Sequence, residues 1–256
     1  MFATPIAAAR SIAAYVGVSL YVAVAGPVGM GLALLFRWKP ILYILGHGGV
    51  ALGTTLAGIH YRVAGREHVP RGQAAVYCAN HQSNIDPPIL YRVLHPRLHV
   101  LFKAELTRLP ILGRAFQLGG FVPIDRASRE HSMVAIERAA QSLRDGNSFL
   151  TFPEGTRSRT GALLPFKKGA FLMALKAQAP VVPVAIQGGT AAMRKGSPLV
   201  RPVTVSIRIG EPIPTRGMNE SQRDDLAALV RERIEQLLAK GPIQQGESSK
   251  FKVESK

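Results

Sequence analysis

Ala74-Ala75-Val76-Tyr77-Cys78-Ala79-Asn80-His81-Gln82-Ser83-Asn84-Ile85-Asp86-Pro87-Pro88-Ile89-Leu90 is the stretch whose reading sets the fold of this chain. The apolar run Ala74–Ala79 reads as a buried strand. Pro87 and Pro88 suit the first turn of a helix, where backbone N–H groups have no intrahelical partner anyway, and Asp86 is placed as that helix's N-cap. A strand, a short polar loop and a helix in succession form one βα unit. The same alternation continues downstream, with strands expected at Val100–Phe102, Gly120–Pro123, Ser148–Phe152, Val181–Ile186 and Val203–Ile209. Helices are expected at 129–145, with Met133, Ile136, Ala140 and Leu143 on one face, at 166–178, and at 219–240, with Leu226, Val230, Ile234 and Leu237 at helical spacing. That order argues for a single α/β domain.

Upstream the composition changes. Of 256 residues, 47% are hydrophobic and 19% charged, and the first acidic residue is Glu67. Ser11 to Phe36 carries no formal charge; as a helix it would be about 39 Å long, enough to cross a hydrocarbon core of about 30 Å. Gly26-Pro27 is expected to kink it. After Arg37-Trp38-Lys39-Pro40 a second apolar stretch runs from Ile41 to Ile59, so the two segments form a hairpin. Two full spans would set the basic turn across the membrane from Arg62, Arg66 and Arg71, against the positive-inside bias. A shallow re-entrant hairpin, or one span with an interfacial helix, avoids this. Ala23-Val24-Ala25 also fits a signal-peptidase site, but the run is long, apolar residues resume after it, and Arg10 alone precedes it.

The chain divides into an anchoring hairpin (1–60), an α/β domain (61–240) and a polar tail expected to be disordered (241–256). Its 32 Lys and Arg stand against 16 Asp and Glu, a net charge of +16 that favours anionic partners. The cations are scattered without interleaved aromatics, which sets nucleic acid aside and leaves anionic lipid or phosphorylated small molecules. One cysteine, Cys78, excludes an intrachain disulfide, and a strand cysteine reads as a small buried hydrophobe. The remaining histidines, His47, His60, His68, His95, His99 and His131, lack metal-ligand spacing and read as structural or surface groups, so no metal is expected.

Two segments carry chemistry. His81 lies on the short loop and Asp86 on its far rim. A carboxylate on one imidazole nitrogen fixes the tautomer and leaves the other free to take a proton from a hydroxyl. For an isolated pair the plainer reading is a helix cap and a loop hydrogen bond. The second segment, Phe152-Pro153-Glu154-Gly155-Thr156-Arg157-Ser158-Arg159, offers a glycine, a hydroxyl and guanidiniums suited to phosphate oxygens, or simply a solvated basic turn. Lys103 and Arg126 follow two further strands, and ligand sites of α/β sheets gather at strand ends.

In this order the segments resemble the glycerolipid acyltransferase family, most closely the bacterial 1-acyl-sn-glycerol-3-phosphate acyltransferases. The His-x4-Asp block is matched by His81 and Asp86. The second block resembles Lys103-Ala104-Glu105-Leu106 through Gly120-Phe121-Val122-Pro123-Ile124-Asp125-Arg126, the Glu-Gly-Thr-Arg block is Glu154 to Arg157, and the fourth resembles Val182-Pro183-Val184. The likeness covers about 61–214.

The resemblance implies an α/β fold with a mixed central sheet flanked by helices. It also implies acyl transfer from acyl-CoA or acyl-carrier protein to the sn-2 hydroxyl of a lysophosphatidic acid, giving phosphatidic acid in phospholipid biosynthesis. No cofactor is implied beyond that thioester co-substrate. His81 would act as base and Asp86 would orient it. Lys103, Arg126, Gly155, Thr156 and Arg157 would hold the acceptor phosphate, and Glu154 would position the loop. A cell inner membrane, with the catalytic domain on its cytoplasmic face, is the expected location. Another lysolipid or an amino-acid lipid as acceptor, or lipid binding without turnover, remain alternatives.

Overall fold

The computed structural model describes residues 3–125, 128–244, 246 and 247. Helices α1 (Ala3–Leu35) and α2 (Pro40–Ala57) come first, followed by strand β1 (His60–Ala64), β2 (Val76–Ala79), α3 (Asp86–Leu94), β3 (Leu98–Lys103), α4 (Leu112–Leu118) and β4 (Val122–Ile124). Then follow α5 (Arg129–Arg144), β5 (Ser148–Thr151), α6 (Gly169–Ala177), β6 (Val181–Gln187), the single turn α7 (Gly189–Ala192), β7 (Thr204–Ile209) and α8 (Arg223–Ala239). The strands form one seven-stranded sheet in the order β1-β7-β6-β2-β5-β3-β4. All neighbours are parallel except the antiparallel β6–β7 pair. The sheet is therefore mixed, and the C-terminal ends of β6, β2, β5, β3 and β4 share one edge.

Alternation along β2 divides the core. Tyr77 and Ala79 face a cluster with Tyr43, Ile89, Leu90 and Tyr91 from α2 and α3. Val76 and Cys78 face the opposite cluster, with Ile136 and Ala140 of α5, Phe171 of α6, and Leu226, Val230 and Ile234 of α8. Two helical layers thus enclose a sheet buried on both faces, which explains why its central strands are continuous apolar runs. Helix α8 is a packed core helix, entered through an Asn219 capping box.

Three expectations are corrected. Asp86 is the first helical residue and makes no cap bond to its own helix; its carboxylate turns back on the preceding loop. Helix α6 begins at Gly169 rather than Phe166, with Lys167 N–H bonded to Pro153 O. Gly241–Gln244 is packed rather than loose: Ile243 is buried and its N–H bonds Ser206 Oγ. The rest of the expected tail, residue 245 and 248–256, lies outside the described residues. Of the two readings given for His99, structural or surface, the structure shows the structural one: its ring is buried, stacked on Tyr43 and edge-on to Phe149.

Both N-terminal helices are long and apolar enough to cross a membrane, and α1 is continuous through Pro27. They pack as an antiparallel hairpin that brings Gly17 against Leu56 and Gly29 against Leu45, positions with no room for a side chain. The hairpin does not stand clear of the domain. Ser11 Oγ accepts from Val200 N–H at 2.8 Å, Tyr15 O–H donates to Pro198 O at 2.6 Å, and Gly26 lies against Ile111. Ser11 and Gly26 are about 22 Å apart along the helix. The outer stripe of α1, including Ile12, Val16, Leu20, Val24 and Leu35, is exposed.

Burial pushes the His99 ring down from its ordinary 6.5 to about 4, with His95 and Lys39 adding repulsion. The unfolded chain takes up this proton near pH 6.5 and the folded one only near 4. The stability due to the neutral ring is therefore full above 6.5 and is lost as pH falls toward 4, on the order of 3 kcal/mol in all. Denaturant titrations from pH 7 to 4 should show this loss, and a folded His99→Phe variant should lack that part of it.

Candidate active site

The site forms where the loop after β2 meets the loop after β5, on neighbouring parallel strands. His81 Nδ1 lies 3.0 Å from Asp86 Oδ2. The same oxygen accepts Gln82 N–H at 2.7 Å and Ser83 N–H at 2.6 Å. Asp86 is 0% exposed. Removing a carboxylate from water costs several kcal/mol, and each N–H donated to it returns roughly 1.5–3 kcal/mol. Three donors converge on Oδ2, with Nδ1 as the nitrogen that faces it, while Oδ1 is buried with no hydrogen-bond partner among the described residues. The opposite face of the problem is the imidazole, which stacks on Phe152 with ring centroids 4.2 Å apart. Its Nε2 has no hydrogen-bond partner among the described residues, and the side chain keeps 15% of its surface open.

The His81 backbone is gripped from the other loop. Glu154 Oε1 accepts His81 N–H at 2.7 Å, and Ser158 N–H donates to His81 O at 2.8 Å. Glu154 Oε2 accepts Leu164 N–H at 2.9 Å. Burial raises the Glu154 pKa, opposed by those two N–H bonds and by His81 and Arg231. This carboxylate positions the histidine loop rather than the Arg157 side chain.

Of the residues expected at a phosphate site, Gly155, Thr156 and Arg157 lie together beside His81, with Gly155 at φ +71° and Lys167 lying over it. The Arg157 guanidinium bonds no described residue. Lys103 stands at the end of β3, with β5 between it and β2, and its exposed ammonium pairs with Glu105 at 2.8 Å. Arg126 lies outside the described residues. Cys78 is wholly buried within β2, facing the α5/α6/α8 layer, and burial drives its thiol pKa upward. It has no approach to the site. Among the described residues, no group of three or more His, Cys, Asp or Glu gathers as metal ligands.

Several contributors were not legible in the sequence. Asn80 is buried and pairs both ways with Ile186, donating to its O at 2.9 Å and accepting its N–H at 2.7 Å, so the histidine loop is stitched to the end of β6. Ser83 Oγ donates to Met193 O at 2.8 Å. Lys195 Nζ donates to Thr156 Oγ1 at 3.2 Å and Arg157 O at 3.0 Å. The Gly188-Gly189 pair after the Val182-Pro183-Val184 block was the available signal for close backbone approach, since a Cβ on Gly189 would overlap Asp86 Oδ1.

Residues 60–187 match the profile of the family described as Acyltransferase. The chain is 32% identical over 211 residues to a 1-acyl-sn-glycerol-3-phosphate acyltransferase of Limnanthes douglasii, covering 80% of this chain and 74% of that protein. It is 34% identical over 177 residues to 1-acyl-sn-glycerol-3-phosphate acyltransferase alpha of Homo sapiens, covering 69% and 62%. The crystal structure of the 1-acyl-sn-glycerophosphate (LPA) acyltransferase of Thermotoga maritima superposes with a TM-score of 0.81 over 94% of this chain and 99% of that one. At 24% identity this is a likeness of fold.

Replacing Gly189 by Ala should push Asp86 off His81. Turnover is expected to fall about tenfold or more, whereas Gly31→Ala, where nothing lies within 4 Å, should leave turnover unchanged; both are read by steady-state kinetics.

Proposed function

The chain belongs to the acyltransferase family, and on that premise we propose that it moves a fatty acyl group from a thioester, acyl-CoA or acyl-carrier protein, to the sn-2 hydroxyl of 1-acyl-sn-glycerol-3-phosphate, forming phosphatidic acid. The observation that carries this reading is the His81–Asp86 pair, with Nδ1 committed to the carboxylate and Nε2 left open. In the proposed reaction Nε2 takes the acceptor's hydroxyl proton as that oxygen attacks the thioester carbonyl. Asp86 holds the tautomer and stabilises the imidazolium. The tetrahedral intermediate then expels the thiolate, which recovers the proton from His81. Attack is direct, so Cys78 has no part as a covalent relay.

Arg157, Thr156 and Gly155 are proposed to receive the acceptor phosphate, with Lys103 at the same edge of the sheet; Arg126 is proposed with them on the resemblance of its sequence block alone. A guanidinium with no bond to a described residue, beside a positive-φ glycine, suits a doubly charged headgroup. The hairpin is proposed to lie in the membrane interface rather than to span it. A helix bound to the domain at Ser11 and again at Gly26 holds the domain along its length, and its exposed apolar stripe meets the lipid. Lipid acceptor and product then exchange laterally. Seating on the cytoplasmic face of the inner membrane agrees with the net charge of +16 and its attraction to anionic headgroups.

The test supplies labelled acyl-CoA and acyl-carrier protein with lysophosphatidic acid, other lysophospholipids, glycerol-3-phosphate and acylated amino-acid lipids. Transfer to lysophosphatidic acid is expected, and thiol release without that product would reject the acceptor. His81→Ala should lose about 10²–10⁴-fold in turnover while still binding vesicles; near-normal transfer would reject the base assignment. Arg157→Ala should raise the acceptor KM about tenfold, and an unchanged KM would remove its phosphate role.

A further inference from the structure

Resting on the reading above, we propose that Lys195 is a positioning residue of the acceptor-phosphate cradle, joining that cradle to the catalytic base. Lys195 follows α7, outside the four motif blocks, yet its ammonium reaches the loop after β5 and is partly buried there.

Two features give it this role. An ammonium only donates, so its bond to Thr156 Oγ1 occupies a hydroxyl lone pair and leaves the Thr156 proton to point elsewhere, as a donor suited to an anion. The bond to Arg157 O grips a peptide unit whose other end is also held: the Ser158 N–H of that same unit donates to His81 O at 2.8 Å. One rigid amide plane therefore connects the Lys195 ammonium to the His81 backbone, and such chained bonds polarise one another. The segment is anchored independently where Ser83 Oγ donates to Met193 O, two residues before Lys195. Loss of the cation would release Thr156 and the Arg157 backbone together while leaving the His81–Asp86 contact in place. The consequence falls on the phosphate-bearing acceptor and not on the thioester.

Kinetics of the full-length protein in mixed micelles, with lysophosphatidic acid and with phosphate-free monoacylglycerol as acceptors, test this. Lys195→Met should raise the lysophosphatidic acid KM about tenfold with kcat changed less than about threefold. The acyl-donor KM should not move, and Lys195→Arg should restore most of the loss. On monoacylglycerol the Lys195→Met and unmodified proteins should perform alike. In a Thr156→Val background the Lys195→Met effect should shrink to about threefold or less, as coupled residues require. If Lys195→Met lowers the Tm, Lys195→Gln carries the comparison. An unchanged acceptor KM, an equal loss on both acceptors, or full additivity with Thr156→Val would overturn the role of Lys195 while leaving the acyl-transfer reading intact. No transfer to lysophosphatidic acid by the unmodified protein would overturn both.

Discussion

The burial of the Asp86 carboxylate is the constraint around which the site is built. A negative charge with no access to water persists only if donors converge on it, and three do: the His81 ring and the Gln82 and Ser83 amides. To present those amides the loop after β2 must curl tightly, and to bring the acid within reach the helix must start at Asp86 itself, with Pro87 and Pro88 in the turn where missing N–H groups do no harm. Gly189 completes the arrangement from a third segment by leaving the acid the volume it fills. The imidazole orientation is thus a by-product of solving an electrostatic problem in the interior.

Parallel strand order turns that local solution into a composite site. Because β5, β2 and β6 are adjacent and parallel, their C-terminal loops emerge side by side. Glu154 and Ser158 from one loop hold the His81 backbone, and Asn80 ties it to the other neighbour through Ile186. The His81 loop is thus held by the loop after β5, by the end of β6 and by the Asp86 carboxylate, so it has little freedom to drift. The same edge collects cations from several segments, and no one of these segments is strongly basic alone.

The hairpin adds a second physical demand. An exposed row of large apolar residues on α1 is tolerable in water only with an apolar medium to cover it. The hydrogen bonds that Ser11 accepts from Val200 N–H and Tyr15 donates to Pro198 O set that row in fixed relation to the domain. The segment they hold is the one that follows Lys195. The exposed apolar row of α1 and the Thr156–Arg157 loop are therefore linked through one continuous segment.

What the amino-acid sequence determined by itself was whatever depends on near neighbours: most of the βα alternation, the apolar hairpin, the buried nature of Cys78, and the five-residue step that lets His81 meet Asp86. Those follow from periodicity, turn chemistry and spacing, which act over a few residues. Strand β1, a short half-buried piece, carried no such pattern, and Asp86 was misplaced as a cap because the competing donors lie behind it. The role of His99 as a core ring, the Glu154 grip on a backbone 73 residues away, the Asn80–Ile186 pairing across 106, and the approach of Lys195 to Thr156 were decided only in three dimensions. Each depends on which strands become neighbours, and pairing order is a property of the whole packed sheet rather than of any one segment.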